Sequence, residues 1–251
     1  VYFFATCVVD QFYPEAGLDA IQLLEREGIT VHVPVAQTCC GQPAYTSGFH
    51  DEARAVARQQ LDLFPEPWPV VVPSGSCAGM IKHHYPVLFA ADPVLKAKAA
   101  ALAARTHELT AFLLDVLKVT LQDRGTPSTV VLHTSCSARR EMGVHRTGRA
   151  LLDQLCQVRI AQQDHEAECC GFGGTFSVRQ PEISGAMVAD KVDALIASGA
   201  EQVVSADCGC LMNILGHAAW KDQQEGRTKP SLPGEHIATF LLRRTDKENA
   251  Q

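Results

Sequence analysis

Two copies of the tripeptide Cys-Cys-Gly lie at corresponding places in the two halves of this 251-residue chain. The copies occupy residues 39–41 and 169–171, and further cysteines flank each copy at similar distances. Written as a pattern, the first half is C-x31-CCG-x35-C, and the second is C-x32-CCG, which closes at Cys208 or Cys210. A spacing repeated in this way indicates an internal duplication, and it predicts two domains of similar fold.

The two sulfurs of each vicinal pair are poorly placed to form a disulfide with each other. Neighbouring Cα atoms lie about 3.8 Å apart, whereas disulfides usually need at least about 4.4 Å. Thiolates are the common ligands of iron-sulfur clusters, with four per [4Fe-4S] unit, so each half can hold one cluster. The candidate cofactor and metal ligands are Cys7, Cys39, Cys40 and Cys77 in the first half, and Cys136, Cys169, Cys170 and Cys210 in the second, with Cys208 as a possible additional ligand.

Other chemistry competes for these sulfurs. Zinc accepts four-cysteine sites, but its structural sites usually contain short C-x2-4-C segments, which the long spacings here do not match. Thiol-disulfide redox chemistry is a further alternative, although ten cysteines are a low density for a secreted disulfide scaffold. Cys156 lies outside the repeat, and we expect it to be a small buried core residue.

Short apolar runs alternate with amphipathic segments throughout the chain, and this alternation predicts an α/β fold. We expect two tandem duplicated α/β domains, residues 1–122 and 123–251, each with a mainly parallel sheet. Ligands of such sheets collect beyond the carboxyl ends of the strands, where every repeated cysteine falls. The predicted strands are residues 1–7, 30–35, 69–72, 129–136, 157–161 and 202–205, and the predicted helices are residues 14–27, 50–64, 107–114, 139–155, 181–198 and 236–242.

Composition excludes several classes of protein. Hydrophobic residues make up 46% of the chain, enough for a buried core, and the net charge is −6 without a basic stripe, which argues against a nucleic-acid partner. No apolar run approaches the length of a transmembrane helix. The first residues lack the basic region and cleavage site of a signal peptide, so we expect a cytoplasmic protein.

Five segments resemble the motifs of the CCG (cysteine-rich) domain family, and most closely those of its lactate-utilisation branch. That family also includes the cysteine-rich component of heterodisulfide reductase and the iron-sulfur component of glycolate oxidase. The segments are FATC at residues 4–7, QTCCGQPA at 37–44, PSGSC at 73–77, CCGFGGTFS at 169–177 and GCLMN at 209–213.

The resemblance implies an electron-transferring iron-sulfur subunit of a cytoplasmic complex that oxidises L-lactate to pyruvate. Its implied partners are a ferredoxin-like iron-sulfur subunit and a third small subunit, and a hydroxy acid is the implied substrate. Another hydroxy-acid oxidase, a heterodisulfide-reductase-like complex and a zinc-stabilised scaffold without redox work remain alternatives. Heterodisulfide reductase closes each motif with C-x2-C, but Ser74 and Asp207 stand at the earlier position here, which favours an ordinary cluster with four ligands.

A few other side chains near the cysteines are candidates for function. His133 precedes Cys136 by three residues, and each imidazole near a cluster could donate a hydrogen bond to sulfur or act as a base. A guanidinium near Cys136 could bind a carboxylate. Structural roles are the alternative for all of these residues, which are His83, His84, His133, Arg139 and Arg140.

Overall fold

The computed structural model describes residues 1–246, so the last five residues of the predicted second domain lie outside it. The described chain forms two parallel sheets, one in each half, with strand orders β1-β2-β3 and β5-β4-β6-β7. This confirms the predicted α/β class with parallel sheets. The strands are β1 (Tyr2–Phe3), β2 (Val70–Val72), β3 (Thr106–Glu108), β4 (Ser128–His133), β5 (Val158–Ala161), β6 (Gln202–Ser205) and β7 (Gly234–His236).

Helices connect these strands in both halves. Those of the first half are α1 (Cys7–Phe12), α2 (Pro14–Arg26), α3 (Gln42–Thr46), α4 (His50–Leu61), α5 (Gly75–Gly79), α6 (Tyr85–Leu88), α7 (Pro93–Ala104) and α8 (Leu109–Ala111), with π-helical turns at Met80–His84 and Phe112–Val116. Those of the second half are α9 (Val144–Leu152), α10 (Phe176–Arg179), α11 (Pro181–Ala197), α12 (Cys208–Gln224) and α13 (Ile237–Thr245), with a π-helical turn at Ala138–Met142.

The predicted strand at residues 30–35 is wrong. Within the described chain this segment pairs with β1 through one isolated parallel bridge, between His32 and Tyr2. Pro34 cannot donate a ladder hydrogen bond, and Val35 is 99% exposed, so neither pairing nor burial favours a longer strand there. The corresponding segment of the second half is the regular strand β5, which pairs with β4.

The predicted helices at residues 107–114 and 236–242 each begin with strand residues instead. Strand β3 pairs with β2, and β7 pairs with β6, so each sheet gains a strand that the sequence pattern does not reveal. The last residue of each strand caps the helix that follows. The Glu108 carboxylate accepts from the Ala111 amide at 3.1 Å, and His236 Nδ1 accepts from the Ala238 amide at 3.1 Å. Glu108 and His236 are therefore structural equivalents.

The helix predicted over residues 139–155 is divided in two. Its first part is the π-helical turn at Ala138–Met142, and Gly143, with φ of 66°, separates this turn from α9. A residue in the left-handed region interrupts the hydrogen-bond ladder of an α-helix, and glycine adopts it at little cost. Cys156, predicted to be buried, is exposed, because its neighbour Leu155 takes the place in the core.

The two halves share part of their core. One cluster of buried side chains combines Phe3 and Val71 from the first sheet with Val130 and Val204 from the second. Helices from both halves fill the space between the sheets. The outer face of each sheet has its own smaller core. The division at residue 122 stays a prediction, since the shared core crosses it.

Among residues 1–246 we find no helix that is both long enough and apolar enough to cross a lipid bilayer.

Candidate metal centre

The Cys-Cys-Gly turns have the same backbone conformation in both halves. Gly41 has φ of 85° and Gly171 has φ of 80°, which lie in the left-handed region that glycine adopts most readily. A Cβ atom on Gly171 would lie 2.7 Å from the Ser184 carbonyl oxygen of α11, and one on Gly41 would lie 3.3 Å from the Ala53 carbonyl oxygen of α4. The positive φ therefore favours glycine at both turns, and at Gly171 the close approach to α11 leaves no room for a side chain.

Three segments of the first half bring four thiols together. Cys7 is the first residue of α1, which follows β1, and Cys77 is the third residue of α5, which follows β2. The thiol of Cys39 interacts with those of Cys7 and Cys40, and Cys40 also interacts with Cys77. The four predicted ligands of this half thus form a continuous chain of sulfurs, in which Cys7 and Cys77 follow strands β1 and β2.

The second half repeats this arrangement. Cys136 follows β4, and Cys210 is the third residue of α12, which follows β6. The thiol of Cys136 interacts with Cys169, and the thiol of Cys170 interacts with both Cys169 and Cys210. Each half of the duplicated sequence pattern therefore converges on its own group of four sulfurs.

Backbone amides donate to one sulfur in each group. The amide of Gly41 donates to Cys39 Sγ at 3.4 Å, and the amide of Gly171 donates to Cys169 Sγ at the same distance. Such donors stabilise negative charge on sulfur and tune the potential of a cluster bound there. The residue before Cys7 is also unusual, because Thr6 holds a φ of 58° without being glycine.

Both groups of thiols open on one cavity between the halves. Its volume is about 490 Å³. The sequence pattern predicts one site in each half, whereas the structure adds that the two sites face each other across a common space. The cysteines that line the cavity are Cys7, Cys39, Cys40, Cys77, Cys136, Cys169, Cys170, Cys208 and Cys210.

The thiols of the first group cannot all ionise without added positive charge. Hydrogen bonds from Cys40 and Cys7 lower the pKa of Cys39 to about 3, and the same contact with Cys39 raises the pKa of Cys7 well above its ordinary value. In the second group, the contact with Cys169 raises the pKa of Cys136. Because adjacent thiolates repel one another, a bound cation is what would allow several of them to ionise together.

Cys208 has a position of its own. It packs against Val9 of α1 and Ala16 of α2, and it is 2% exposed. Burial and then the charge of Asp207 raise the pKa of its thiol, and Cys77 of the first half contributes in the same direction. Cys208 therefore lies at the contact between the halves, where its apolar packing suits a buried free thiol.

A buried carboxylate joins the two halves beside the thiols. Asp207 Oδ1 accepts from Ser74 Oγ at 2.8 Å and from Ser76 Oγ at 2.7 Å, both in the first half. Asp207 Oδ2 accepts from Ser135 Oγ at 2.8 Å, in its own half. Ser74 and Asp207 are the N-cap residues of α5 and α12, so they occupy equivalent places. The sequence shows that Ser74 and Asp207 each stand where a related pattern has cysteine, but it does not show that they hydrogen-bond to each other.

The paired histidines of the first half contact the second half. His84 Nε2 lies 3.1 Å from Glu141 Oε1, and His83 Nε2 lies 3.1 Å from the Glu141 carbonyl oxygen. His84, Glu141 and Arg140 line the cavity. Arg139 instead forms an ion pair with Glu166 at 2.8 Å. Sequence patterns do not reveal Glu141, because its role depends on the contact between two π-helical turns.

Fold and site together define a duplicated α/β protein that presents thiols from both halves to one cavity, an arrangement suited to binding metal. Comparison with known proteins agrees with this class. The cysteine-rich domain (CCG) family matches residues 1–82 and 130–215, one segment in each half.

Similarity to individual proteins covers more of the chain than the two family segments. The chain is 42% identical over 243 residues to lactate utilization protein A of Shouchella clausii, covering 96% of this chain and 98% of the relative. It is 45% identical over 219 residues to the protein of the same name from Geobacillus kaustophilus, covering 87% and 91%. The chain therefore belongs to the cysteine-rich domain family, and within it to the group of proteins named lactate utilization protein A.

A solved structure shares the fold. The crystal structure of a hypothetical protein from Helicobacter pylori superposes with a TM-score of 0.69 at 10% sequence identity. The match covers 99% of this chain and 50% of that chain, so the present fold spans half of the larger protein.

The residues present fit a thiolate-bound metal or cluster. Each half supplies four sulfurs, an amide donor to one of them and a glycine turn that a Cβ atom would disturb. In the second half the ligand atoms of His133, Cys170 and Cys210 all lie within 4.8 Å of one another. Soft sulfur ligands of this kind select iron-sulfur clusters, zinc or copper(I) over hard cations.

Proposed function

We propose that this chain holds an iron-sulfur cluster in each half and transfers electrons within a complex that oxidises L-lactate to pyruvate. The observation that carries the proposal is the convergence of two equivalent groups of four thiols on one cavity. The assignment to lactate is supported by identity of 42% and 45% with proteins named lactate utilization protein A.

The proposed ligands are the eight cysteines of the repeat, and a cluster of the [4Fe-4S] type matches four thiolates per half. We assign the last ligand of the second group to Cys210, because Cys170 interacts with it directly and Cys208 packs against the opposite half. When bound, such a cluster supplies one-electron transfer, and two clusters facing one cavity suit a reaction that releases two electrons.

Polar side chains in the cavity suit a small hydroxy acid. The guanidinium of Arg140 can bind a carboxylate through two hydrogen bonds. The imidazole of His84, oriented by Glu141, can take the proton from a hydroxyl group. Oxidation of a 2-hydroxy acid to a 2-oxo acid releases two protons and two electrons: His84 would take the hydroxyl proton, the proton from the carbon would pass to solvent, and the two electrons would pass to the proposed clusters.

The electrons require an acceptor outside this chain. We propose a ferredoxin-like iron-sulfur subunit as that acceptor, together with a third small subunit that completes the complex. We place the complex in the cytoplasm, because a reducing compartment keeps cysteines available as metal ligands. All ten cysteines of the chain are free thiols in the described structure.

A zinc-stabilised scaffold is the second candidate, and one observation favours it. The tight grouping of His133, Cys170 and Cys210 offers the mixed nitrogen and sulfur donors that zinc accepts. A scaffold of this kind would bind partners without redox work. Oxidation of another hydroxy acid, or disulfide reduction in a heterodisulfide-reductase-like complex, would use the same sulfur groups with a different substrate.

The proposal is tested by mixing the anaerobically purified complex with L-lactate and following the visible absorbance of its clusters. Bleaching by L-lactate, with pyruvate formed, is the expected result, and the Arg140→Gln variant should need more lactate for the same rate. Arg58→Gln is the matched control, because Arg58 is exposed on α4 and does not line the cavity. Clusters that bleach with another hydroxy acid and not with lactate would overturn the assignment, as would normal growth on lactate after deletion of the gene.

A further inference from the structure

We propose that His133 is a nitrogen ligand of the metal centre in the second half, so that the two centres of this protein differ in their ligands. The inference rests on the proposed function only in requiring that the second group of thiols holds a metal. It assigns a fifth protein ligand to that centre, in addition to the four thiolates of Cys136, Cys169, Cys170 and Cys210.

His133 is the last residue of β4, and it is fully buried. A ring nitrogen of His133 and the sulfurs of Cys170 and Cys210 lie within 4.8 Å of one another. Two ligand atoms on one metal lie no more than about 4.6 Å apart, because each bond to the metal is about 2.0–2.3 Å long, so a small shift brings these three groups around one ion. The imidazole is therefore within reach of an ion held by the two thiolates.

The hydrogen-bonding state of His133 points the same way. Neither ring nitrogen has a hydrogen-bond partner among residues 1–246, although both are buried. Buried polar atoms are nearly always paired, and an unpaired one requires an explanation such as an ion at the site. Coordination by one nitrogen would supply the missing partner on the side of the thiols.

The duplication provides an internal comparison. The residue three places before Cys7 is Phe4, which corresponds to His133 three places before Cys136. Phe4 is fully buried directly after strand β1, so the fold accepts an apolar ring at this place. A structural role common to both halves does not require histidine, and the imidazole serves something particular to the second half.

A second difference lies on the helix that follows each Cys-Cys-Gly turn. Lys191 of α11 is 2% exposed, its ammonium group donates to the His165 carbonyl oxygen at 2.6 Å, and its charge acts on Cys170. The equivalent residue of α4 is Gln60, which is neutral. A buried cation favours the reduced, more negatively charged state of a cluster. The second centre should therefore be reduced at a higher potential than the first.

The test uses full-length protein labelled with ¹⁵N-histidine, purified anaerobically, reduced and studied by pulsed electron paramagnetic resonance. The Cys40→Ser substitution simplifies the spectrum by removing the first centre. We expect the hyperfine coupling of a nitrogen bonded directly to the metal, and we expect His133→Phe to abolish it. His84→Phe is the matched control, because His84 lines the cavity outside this ligand group, and it should leave the coupling unchanged.

A paramagnetic cluster without a directly bonded nitrogen would overturn the inference and leave the proposed function intact. The same holds if the coupling persists in His133→Phe. Should that variant fold poorly, His133→Gly with added imidazole replaces it, and recovery of the coupling with ¹⁵N-imidazole is the supporting result. A protein that holds zinc instead would contradict the proposed function, and the same coupling is then sought on cobalt(II) substituted for zinc.

Discussion

We expect single cysteines to decide whether this chain holds metal, and Cys40 is the clearest case. It is buried, and its thiol interacts with both Cys39 and Cys77. The Cys40→Ser variant should lose the first cluster and keep the second, so its iron content should fall to about half of the wild-type value. Iron and sulfide analysis after anaerobic purification measures this change. Cys156→Ser is the matched control, because Cys156 is exposed. If the iron content of both variants equals that of the wild type, Cys40 is not a ligand.

A buried acid predicts how stability depends on pH. Burial raises the pKa of Glu108 from 4.5 to about 7, hydrogen bonds from Thr110 and the Ala111 amide offset part of this rise, and the charge of Asp207 adds to it. The folded state therefore binds this proton more tightly than the unfolded state. The stability contributed by protonated Glu108 is complete below about pH 4.5 and declines as the pH rises to about 7.

The Glu108→Gln variant keeps the neutral form at every pH. We expect it to be more stable than the wild type by about 1–3 kcal/mol at pH 8, and to match it near pH 4. Urea unfolding at the two pH values measures the difference in the free energy of unfolding. Equal stability of the two proteins at pH 8 would show that Glu108 ionises normally in the folded state.

At the scale of elements, the sequence predicts what depends on local pattern. Strand β6, helix α2 and helix α11 each have a run or periodicity that can be read from neighbouring residues, and each lies where it is predicted. Strands β3 and β7 have no such local pattern, because each has three residues and forms by pairing with a distant strand. The same reason hides Glu141, whose carboxylate becomes part of the cavity through a contact with His84.

The site divides in the same way. The spacing of the cysteines can be read from the sequence because the duplication repeats it, and it predicts the two groups of four sulfurs. The common cavity follows from how the halves pack, which no spacing records. The sequence also does not show that both ring nitrogens of His133 lack a hydrogen-bond partner within residues 1–246. This depends on which polar groups the neighbouring elements place beside the ring.

We expect alanine to destabilise the protein more at Gly171, in the second Cys-Cys-Gly turn, than at Gly199, which lies outside both turns. Gly171→Ala combines a strained φ of +80° with a Cβ atom 2.7 Å from the Ser184 carbonyl oxygen, whereas Gly199→Ala has a φ of +68° and open space. Gly199→Ala should cost about 1 kcal/mol of unfolding free energy, and Gly171→Ala about 2–4 kcal/mol. Chemical denaturation of the metal-free proteins measures both. A similar cost for the two variants would mean that the turn does not need its close approach to α11.

Across the whole molecule, the halves are joined by a shared core and by Asp207. Two serines of the first half donate to its Oδ1 atom, and Ser135 donates to its Oδ2 atom. Asp207→Asn replaces one accepting oxygen with an amide group, so we expect a loss of about 1–3 kcal/mol in unfolding free energy. Because the core is shared, unfolding should remain one cooperative transition.

Urea unfolding followed by two spectroscopic probes measures this effect. Asp193→Asn is the matched control, since Asp193 is an exposed carboxylate paired with Lys221, and its loss should cost less than about 1 kcal/mol. Two separate transitions in the wild-type protein would contradict a core common to both halves. Equal stability of the two variants would contradict the role of Asp207 at the contact.

Metal bound by the two groups of thiols is the central requirement of the proposed function. Iron, acid-labile sulfide and zinc determined on the anaerobically purified protein, together with its visible spectrum, test this most directly. We expect iron and sulfide in equal amounts, about four of each per half, with the broad visible absorbance of iron-sulfur clusters. Stoichiometric zinc without iron, sulfide or visible absorbance would contradict the account.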